Sequence, residues 1–319
     1  MRKHGFTIQL LTFLIVFLLV AACSKEKPEV TDTGNTSTSM NRLKSTTRSV
    51  PSQYSTIQSA INAASSGDII SIANGTYNEQ VTIPSSKSNI KIVGASQTGV
   101  ILQAGSGQTA LTIHGTDITI SYMTIQNTLL SGSTTSHSVY VDSKRVEFYR
   151  CYINGWQDTF AIWDNALVYC SLSEIRGCVD FIYSGGTAFF NSCNIKQIRS
   201  TGGVNAAPST PSGARGFIFS SCTINRGSGV ADNTSTLMRP WYPYGETAYI
   251  NCSMDSHITA AGWSAWDGRE ATCRAAEYGS KTLSGSTISL SSRSSWVVRL
   301  TSTSNYTKSV ILGSWTPPL

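Results

Sequence analysis

One pattern of apolar and polar positions recurs along the chain: an apolar residue, one or two intervening residues, a Cys or Met, one more residue, and another apolar side chain. It occurs as Ile120-Ser-Tyr-Met123-Thr-Ile125, Phe148-Tyr-Arg-Cys151-Tyr-Ile153, Val168-Tyr-Cys170-Ser-Leu172, Phe190-Asn-Ser-Cys193-Asn-Ile195, Phe219-Ser-Ser-Cys222-Thr-Ile224 and Ile250-Asn-Cys252-Ser-Met254. Successive Cys or Met positions lie 28, 19, 23, 29 and 30 residues apart. Units this short cannot bury an apolar face alone, so short strands repeating at this period predict a solenoid in which each coil stacks on the next. Every coil would then place its Cys at one inward position. The five thiols Cys151, Cys170, Cys193, Cys222 and Cys252 are expected as a ladder of small apolar side chains, with disulfides among them the less favoured reading. Cys178 and Cys273 fall outside that register.

Ahead of the coils, Ile57, Ala60, Ile61 and Ala64 follow the i, i+3, i+4, i+7 spacing of a helix, with hydroxyl residues placed to cap it. One short helix is predicted there, lying across the end coil that a solenoid leaves exposed. No sustained heptad and no series of long amphipathic helices occurs, which excludes a bundle, a coiled coil and a doubly wound sheet. The expected fold class is all-β, a single-stranded parallel β-helix with a short N-terminal capping helix.

Composition agrees with this and narrows the partners. Charged residues are 13% of the 319, and Gly, Ser, Thr and Asn are abundant, as in extracellular β proteins. The net charge of +6 is concentrated at the start: residues 1–50 hold seven basic and three acidic residues, leaving 17 against 15 in the remainder. A nearly neutral body gives no electrostatic ground for binding nucleic acid or an anionic membrane. Arg2, Lys3 and His4 precede an apolar run whose uninterrupted part, Phe13 to Ala22, is about half the ~20 residues needed to span a bilayer. Residues 1–22 therefore read as a secretory signal. Val20-Ala21-Ala22-Cys23 resembles the lipobox of bacterial lipoproteins, which implies an exported protein held at the outer membrane or cell surface by a lipid on Cys23 alone. Residues 23–50 have almost no large apolar side chains and are expected as a flexible tether, with the folded domain at 51–319.

Thr56-Ile-Gln-Ser-Ala-Ile, Gly75-Thr-Tyr-Asn-Glu79 and Ile90-Lys-Ile-Val-Gly94 open the domain; Gln157-Asp158-Thr-Phe160, Val179-Asp180-Phe-Ile-Tyr183, Leu237-Met-Arg239-Pro-Trp241 and Ala261-Gly-Trp263 followed by Trp266-Asp-Gly268 come later. In order and spacing they resemble the pectinesterases (pectin methylesterases), from about Tyr54 to the closing Trp315-Thr-Pro-Pro. The resemblance implies a right-handed parallel β-helix that removes methyl esters from galacturonate residues of pectin. Asp180 would be the nucleophile, Asp158 the acid and base, Gln157 the oxyanion donor and Arg239 the partner that orients Asp180. Tyr183, Trp241 and Trp263 would line the cleft.

The residues themselves support this division of labour. Asp158 and Asp180 are 22 residues apart, close to one coil, so both can occupy equivalent positions on adjacent strands ~4.8 Å apart. Two carboxylates at that spacing repel, so one keeps its proton while the other is ionised, an acid beside a nucleophile. Three departures from the family pattern stand out. Ser138, in Ser136-His-Ser-Val-Tyr-Val141, takes the place of a Gln that helps form the oxyanion hole, Ser184 replaces a Gly after Asp-Phe-Ile, and Met238 replaces the Gly before Arg-Pro-Trp. Ser138, a substrate-binding position whose hydroxyl reaches less far than an amide, is expected to weaken or redirect transition-state stabilisation, and the other two to narrow or reshape the cleft. His114, His137 and His257 share no metal-ligand spacing, and a structural role is expected for each. No metal and no cofactor is expected, and the chain is expected to act as a monomer on pectin.

Other chemistry fits less well. A different ester or a thioester substrate would use the same residues, whereas a purely polysaccharide-binding solenoid would have no need of Asp158, Asp180, Arg239 and Gln157 together. A lyase on this fold calls for a basic proton acceptor and commonly Ca²⁺ held by several carboxylates, and no Gly-x-Ser-x-Gly elbow for a serine hydrolase occurs.

Overall fold

The computed structural model describes residues 45–128 and 136–319. The leader expected at 1–22, the lipidation site Cys23 and most of the tether lie outside the described residues. The coil body takes in Thr47–Val50, the last residues assigned to the tether. They form the first strand, in parallel register with Ile69–Ile72; Val50 is buried, and Arg48 is paired with Asp68 at 2.7 Å. This edge strand buries only Val50, so its composition reads like that of a tether.

Three parallel sheets form the solenoid. Among the described residues a first sheet of eleven strands, a second of nine and a third of seven take one strand each from every complete coil, in that order along the chain, the end coils being incomplete. Thr116–Ser121, Thr124–Asn127 and Val139–Val141 are one such coil, and Lys144–Tyr149 begins the next. Parallel pairing puts like residues above like. Leu102, Ile125, Ile153, Ile175, Ile195, Ile224 and Met254 are Cα partners in succession in the second sheet. In the first sheet Phe190, Phe219 and Tyr249 stack face to face, each pair of ring centroids 4.6 Å apart and 8° from parallel.

The corner between the first and second sheets is made by one left-handed residue per coil. Tyr122, Arg150, Leu172, Ser192, Ser221 and Asn251 all have φ between 49° and 55°. That conformation costs an L-residue roughly 1–2 kcal/mol, and the stacked hydrogen bonds of neighbouring coils hold it in place. The residue after each corner points inward, giving the ladder Met123, Cys151, Ser173, Cys193, Cys222 and Cys252. Here the sequence expectation is corrected. Cys170 is not in the ladder; it lies in the strand Leu167–Ser171, between Phe148 and Phe190, and Ser173 takes its slot. The spacings of 19 and 23 that looked irregular are two coils of 22 and 20 with a serine between them. Cys170 and Cys193 approach to 3.8 Å between sulfurs, and all seven described cysteines are free thiols.

The predicted helix is Ile57–Ala63, started by a reciprocal capping box between Thr56 and Ser59. The Glu79 carboxylate accepts from the free amides of Ile57 and Gln58 at 3.0 and 3.1 Å. Ile57, Ala60 and Ile61 are buried in the core of the first coils, as the apolar stripe predicts. No described helix is long and apolar enough to cross a membrane.

His257 is fully buried, and neither of its ring nitrogens has a hydrogen-bond partner among the described residues. Burial pushes its pKa down to about 4 from 6.5, against a smaller upward pull from Asp255. An imidazole with a depressed folded pKa contributes stability that is complete above the unfolded value and is lost as pH falls through the folded one. Denaturant midpoints should therefore fall between pH 6.5 and about 4, and a His257→Phe variant should show a flatter profile over that window. Equal slopes in the two proteins would remove His257 as the cause.

Candidate active site

The third sheet carries the candidate site on its outer face and on the corner leading into it. Phe160 pairs with Ile182 and Ala161 with Tyr183, so Asp158 and Asp180, each two residues before the first pair, hold equivalent positions on adjacent coils. Both are left-handed, with φ of 54° and 51°, and the Asp158 amide donates to the Val179 carbonyl at 3.2 Å. The common turn lifts both carboxylates out of the alternation that would have sent both side chains inward with Phe160 and Ile182. Gly177 makes room for the second turn: a Cβ there would lie 2.3 Å from that of Phe181 and 2.7 Å from the Trp156 carbonyl oxygen.

Asp180 is buried and Asp158 half-buried. Arg239 follows the strand Thr236–Met238, two coils on, and reaches back to Asp180 as a two-pronged ion pair: Nε donates at 2.9 and 3.2 Å, and Nη2 donates to Oδ2. This fork geometry fits a carboxylate as a Lys could not. The guanidinium is flanked by Trp266 and Trp241, with Cζ 4.0 and 5.1 Å from their ring centroids. Burial raises the Asp180 pKa above its ordinary value, and the hydrogen bond and charge of Arg239 oppose that rise without cancelling it. Gln157 is half-buried beside Asp158.

Along the outer row of the sheet Tyr140, Ala161 and Tyr183 are in register. Tyr140 packs on exposed Trp163, with centroids 5.8 Å apart, and His114 lies 6.2 Å from Tyr140 with its Nδ1 2.7 Å from Asp142. The structure thus brings together Asp158, Asp180, Arg239, Gln157, Tyr183 and Trp241 around one open face.

Trp263 is not part of that face. It is buried, its Nε1 donates to Glu277 at 3.1 Å, and its ring packs edge-on against Tyr249 and Trp296. A buried ion pair of Glu277 with Arg293 anchors it, so it closes the end of the aromatic stack instead of meeting substrate. Met238 is likewise fully buried and points into the core. Ser138 is also corrected: its hydroxyl donates to the Asn154 carbonyl at 2.5 Å and accepts from the Asn127 amide at 3.0 Å, with no exposure. It is a corner tie between coils. The residue that faces the site at this corner is its neighbour His137, for which only a structural role was expected. Trp266 was likewise passed over as a site residue. Counting one coil back from Asp158 finds the first, and the second is the aromatic of the Trp-Asp-Gly motif.

Ser184 is buried with φ of 90°, a conformation that glycine adopts without strain. The Ser-for-Gly departure is therefore a backbone matter first. Ser184→Gly should raise stability by about 1 kcal/mol by relieving that strain, seen as a higher denaturant midpoint; a lower midpoint would mean that the hydroxyl contributes more than the backbone loses.

The family model described as Pectinesterase matches residues 46–312. Pectinesterase A of Dickeya dadantii is 28% identical over 88% of this chain and 93% of its own length. Pectinesterase 2 of Citrus sinensis is 31% identical over 67% of this chain, which spans 45% of that longer protein. Among solved structures, pectin methylesterase from carrot superposes with a TM-score of 0.77 at 25% identity, covering 86% of this chain and 95% of that one. A pectin methylesterase in complex with a hexasaccharide superposes at 0.71 with 27% identity, covering 84% and 95%.

Proposed function

This chain belongs to the pectinesterase family, and we propose that it hydrolyses methyl esters of galacturonate residues in pectin, releasing methanol and leaving carboxylates. The observation that carries the reading is the placement of Asp158 and Asp180 on one corner of adjacent coils, with Arg239 clamped on Asp180. A saccharide complex of a solved relative supports a polysaccharide in the open face.

In this mechanism ionised Asp180 attacks the ester carbonyl, and the developing oxyanion takes a hydrogen bond from the Gln157 amide. Asp158, protonated, gives its proton to the departing methoxide, so that methanol leaves and a mixed anhydride joins sugar to Asp180. Asp158, now a carboxylate, removes a proton from water as the water attacks the anhydride carbon. Asp180 departs as a carboxylate, Asp158 is again protonated, and the cycle closes. A carboxylate is a weak nucleophile, and Arg239 compensates by fixing its orientation and favouring its charged form against the cost of burial. Tyr183 and Trp241 offer aromatic faces to sugar rings on either side.

We also propose that the protein is exported and held to a membrane only through lipid on Cys23, on the strength of Val20-Ala21-Ala22-Cys23, and that a single chain suffices, since all the residues invoked come from one chain. Expressed in a bacterium, Cys23→Ser should move the protein from the membrane fraction to the soluble exported fraction; unchanged partition would remove the anchor.

Methanol release from highly methylated pectin tests the main reading. Asp180→Asn should abolish turnover, to at least a thousandfold below the wild type, by analogy with the loss of other covalent nucleophiles. Because only ionised Asp180 attacks and its pKa is raised, the acid limb of kcat/KM should fall at a pH above the ordinary carboxylate value of 3.8. Turnover surviving in Asp180→Asn would exclude it as nucleophile, and no methanol from the wild type would point to another ester.

A further inference from the structure

The row that holds the two aspartates begins one coil earlier. Val139 pairs with Phe160, as Phe160 pairs with Ile182. The residues two places before these partners are His137, Asp158 and Asp180, so an imidazole stands in line with the two carboxylates on three successive coils. Its chemistry is legible from its neighbours. His137 Nδ1 lies 2.9 Å from the main-chain oxygen of Asp158. A carbonyl oxygen only accepts, so Nδ1 carries the hydrogen. In the neutral ring Nε2 then has the lone pair; the Tyr183 hydroxyl lies over the ring, 3.3 Å from Nε2 and 3.5 Å from Nδ1. The ring packs near Tyr183 and Tyr140, with centroids 5.6 and 6.1 Å away.

We propose that His137 is a positioning residue for the hydrolysis: its Nδ1–H clamps the left-handed turn that presents Asp158, while its ring packs against Tyr183. This rests on the assignment of Asp158 as the acid and base. The turn it clamps has φ of 54°, a conformation with an intrinsic cost, and a bond to its carbonyl is a direct way of holding it. The arrangement also has a built-in dependence on protonation. A second proton on the ring places a cation beside Asp158. The titratable groups facing the ring are Asp158, Tyr183 and Tyr140, with the His114–Asp142 pair beyond Tyr140. Burial lowers the His137 pKa, in keeping with a neutral ring at work.

The test compares wild type, His137→Ala and His137→Asn in methanol release from highly methylated pectin, alongside ¹⁵N NMR of the imidazole in the full folded domain. The Ala variant should lose roughly ten- to a hundredfold in kcat with KM little changed, the size expected when a reacting group is misplaced. The Asn variant, whose amide N–H can reach the same carbonyl, should regain most of that loss. The NMR spectrum should show the Nδ1–H tautomer near neutral pH. Wild-type kcat in the Ala variant, an Asn variant no better than Ala, or an Nε2–H tautomer would each overturn the proposal. If the Ala variant fails to fold, the Asn variant and the tautomer decide it. If the wild type releases no methanol, the esterase reading falls and the role of His137 in hydrolysis falls with it, whereas turnover with an Nε2–H tautomer overturns the clamp alone.

Discussion

In-register parallel hydrogen bonding between coils is the constraint from which the rest of this molecule follows. Each strand takes its position from the one before it, so a residue type or a backbone conformation that suits one coil is copied to the next. Left-handed corners at Tyr122, Arg150, Leu172, Ser192, Ser221 and Asn251 are tolerated because each is supported by the coils on either side. The same copying puts His137, Asp158 and Asp180 in one line, although 21 and 22 residues of chain separate them. The proposed catalytic pair arises from stacking distance alone, without a loop to carry it.

Placing carboxylates on such a line has an electrostatic consequence. Asp180 is buried, and desolvation raises its pKa, so its charge needs a partner that is itself held in place. Arg239 meets that need because Trp266 and Trp241 flank its planar head while its fork engages both carboxylate oxygens. A Lys at this position would bring charge without the plane for stacking or the paired donors. The aromatic residues near Arg239 therefore serve the site electrostatically, whether or not sugar packs on their outer faces.

The core shows the same economy of form. Isoleucine stacks on isoleucine through the second sheet, and Phe190, Phe219 and Tyr249 form a column that Trp263 caps edge-on. Buried Glu277 accepts both from Trp263 and from Arg293, so the column ends on a satisfied ion pair instead of an open apolar edge. Free thiols suit the adjoining ladder because each packs under the next as a small apolar group.

Sequence by itself determined the solenoid, its capping helix, the coil-to-coil correspondence of Asp158 with Asp180, and the pairing of that site with Arg239. These depend on period and on motifs that survive as text, because a repeat in space is a repeat in the chain. What only the tertiary structure decided is where side chains point at corners. Ser138 against His137, Cys170 against Ser173, and buried Trp263 against half-exposed Trp266 are differences of one, three and three residues, too small for a period of twenty or more to resolve. Within a strand, alternation would settle them. At a corner the backbone turns through a left-handed residue or shares one carbonyl between two amides, as the Thr159 oxygen does with Ser138 and Val139. There alternation breaks, and only the hydrogen bonds to the neighbouring coil say which residue is inside and which faces the cleft.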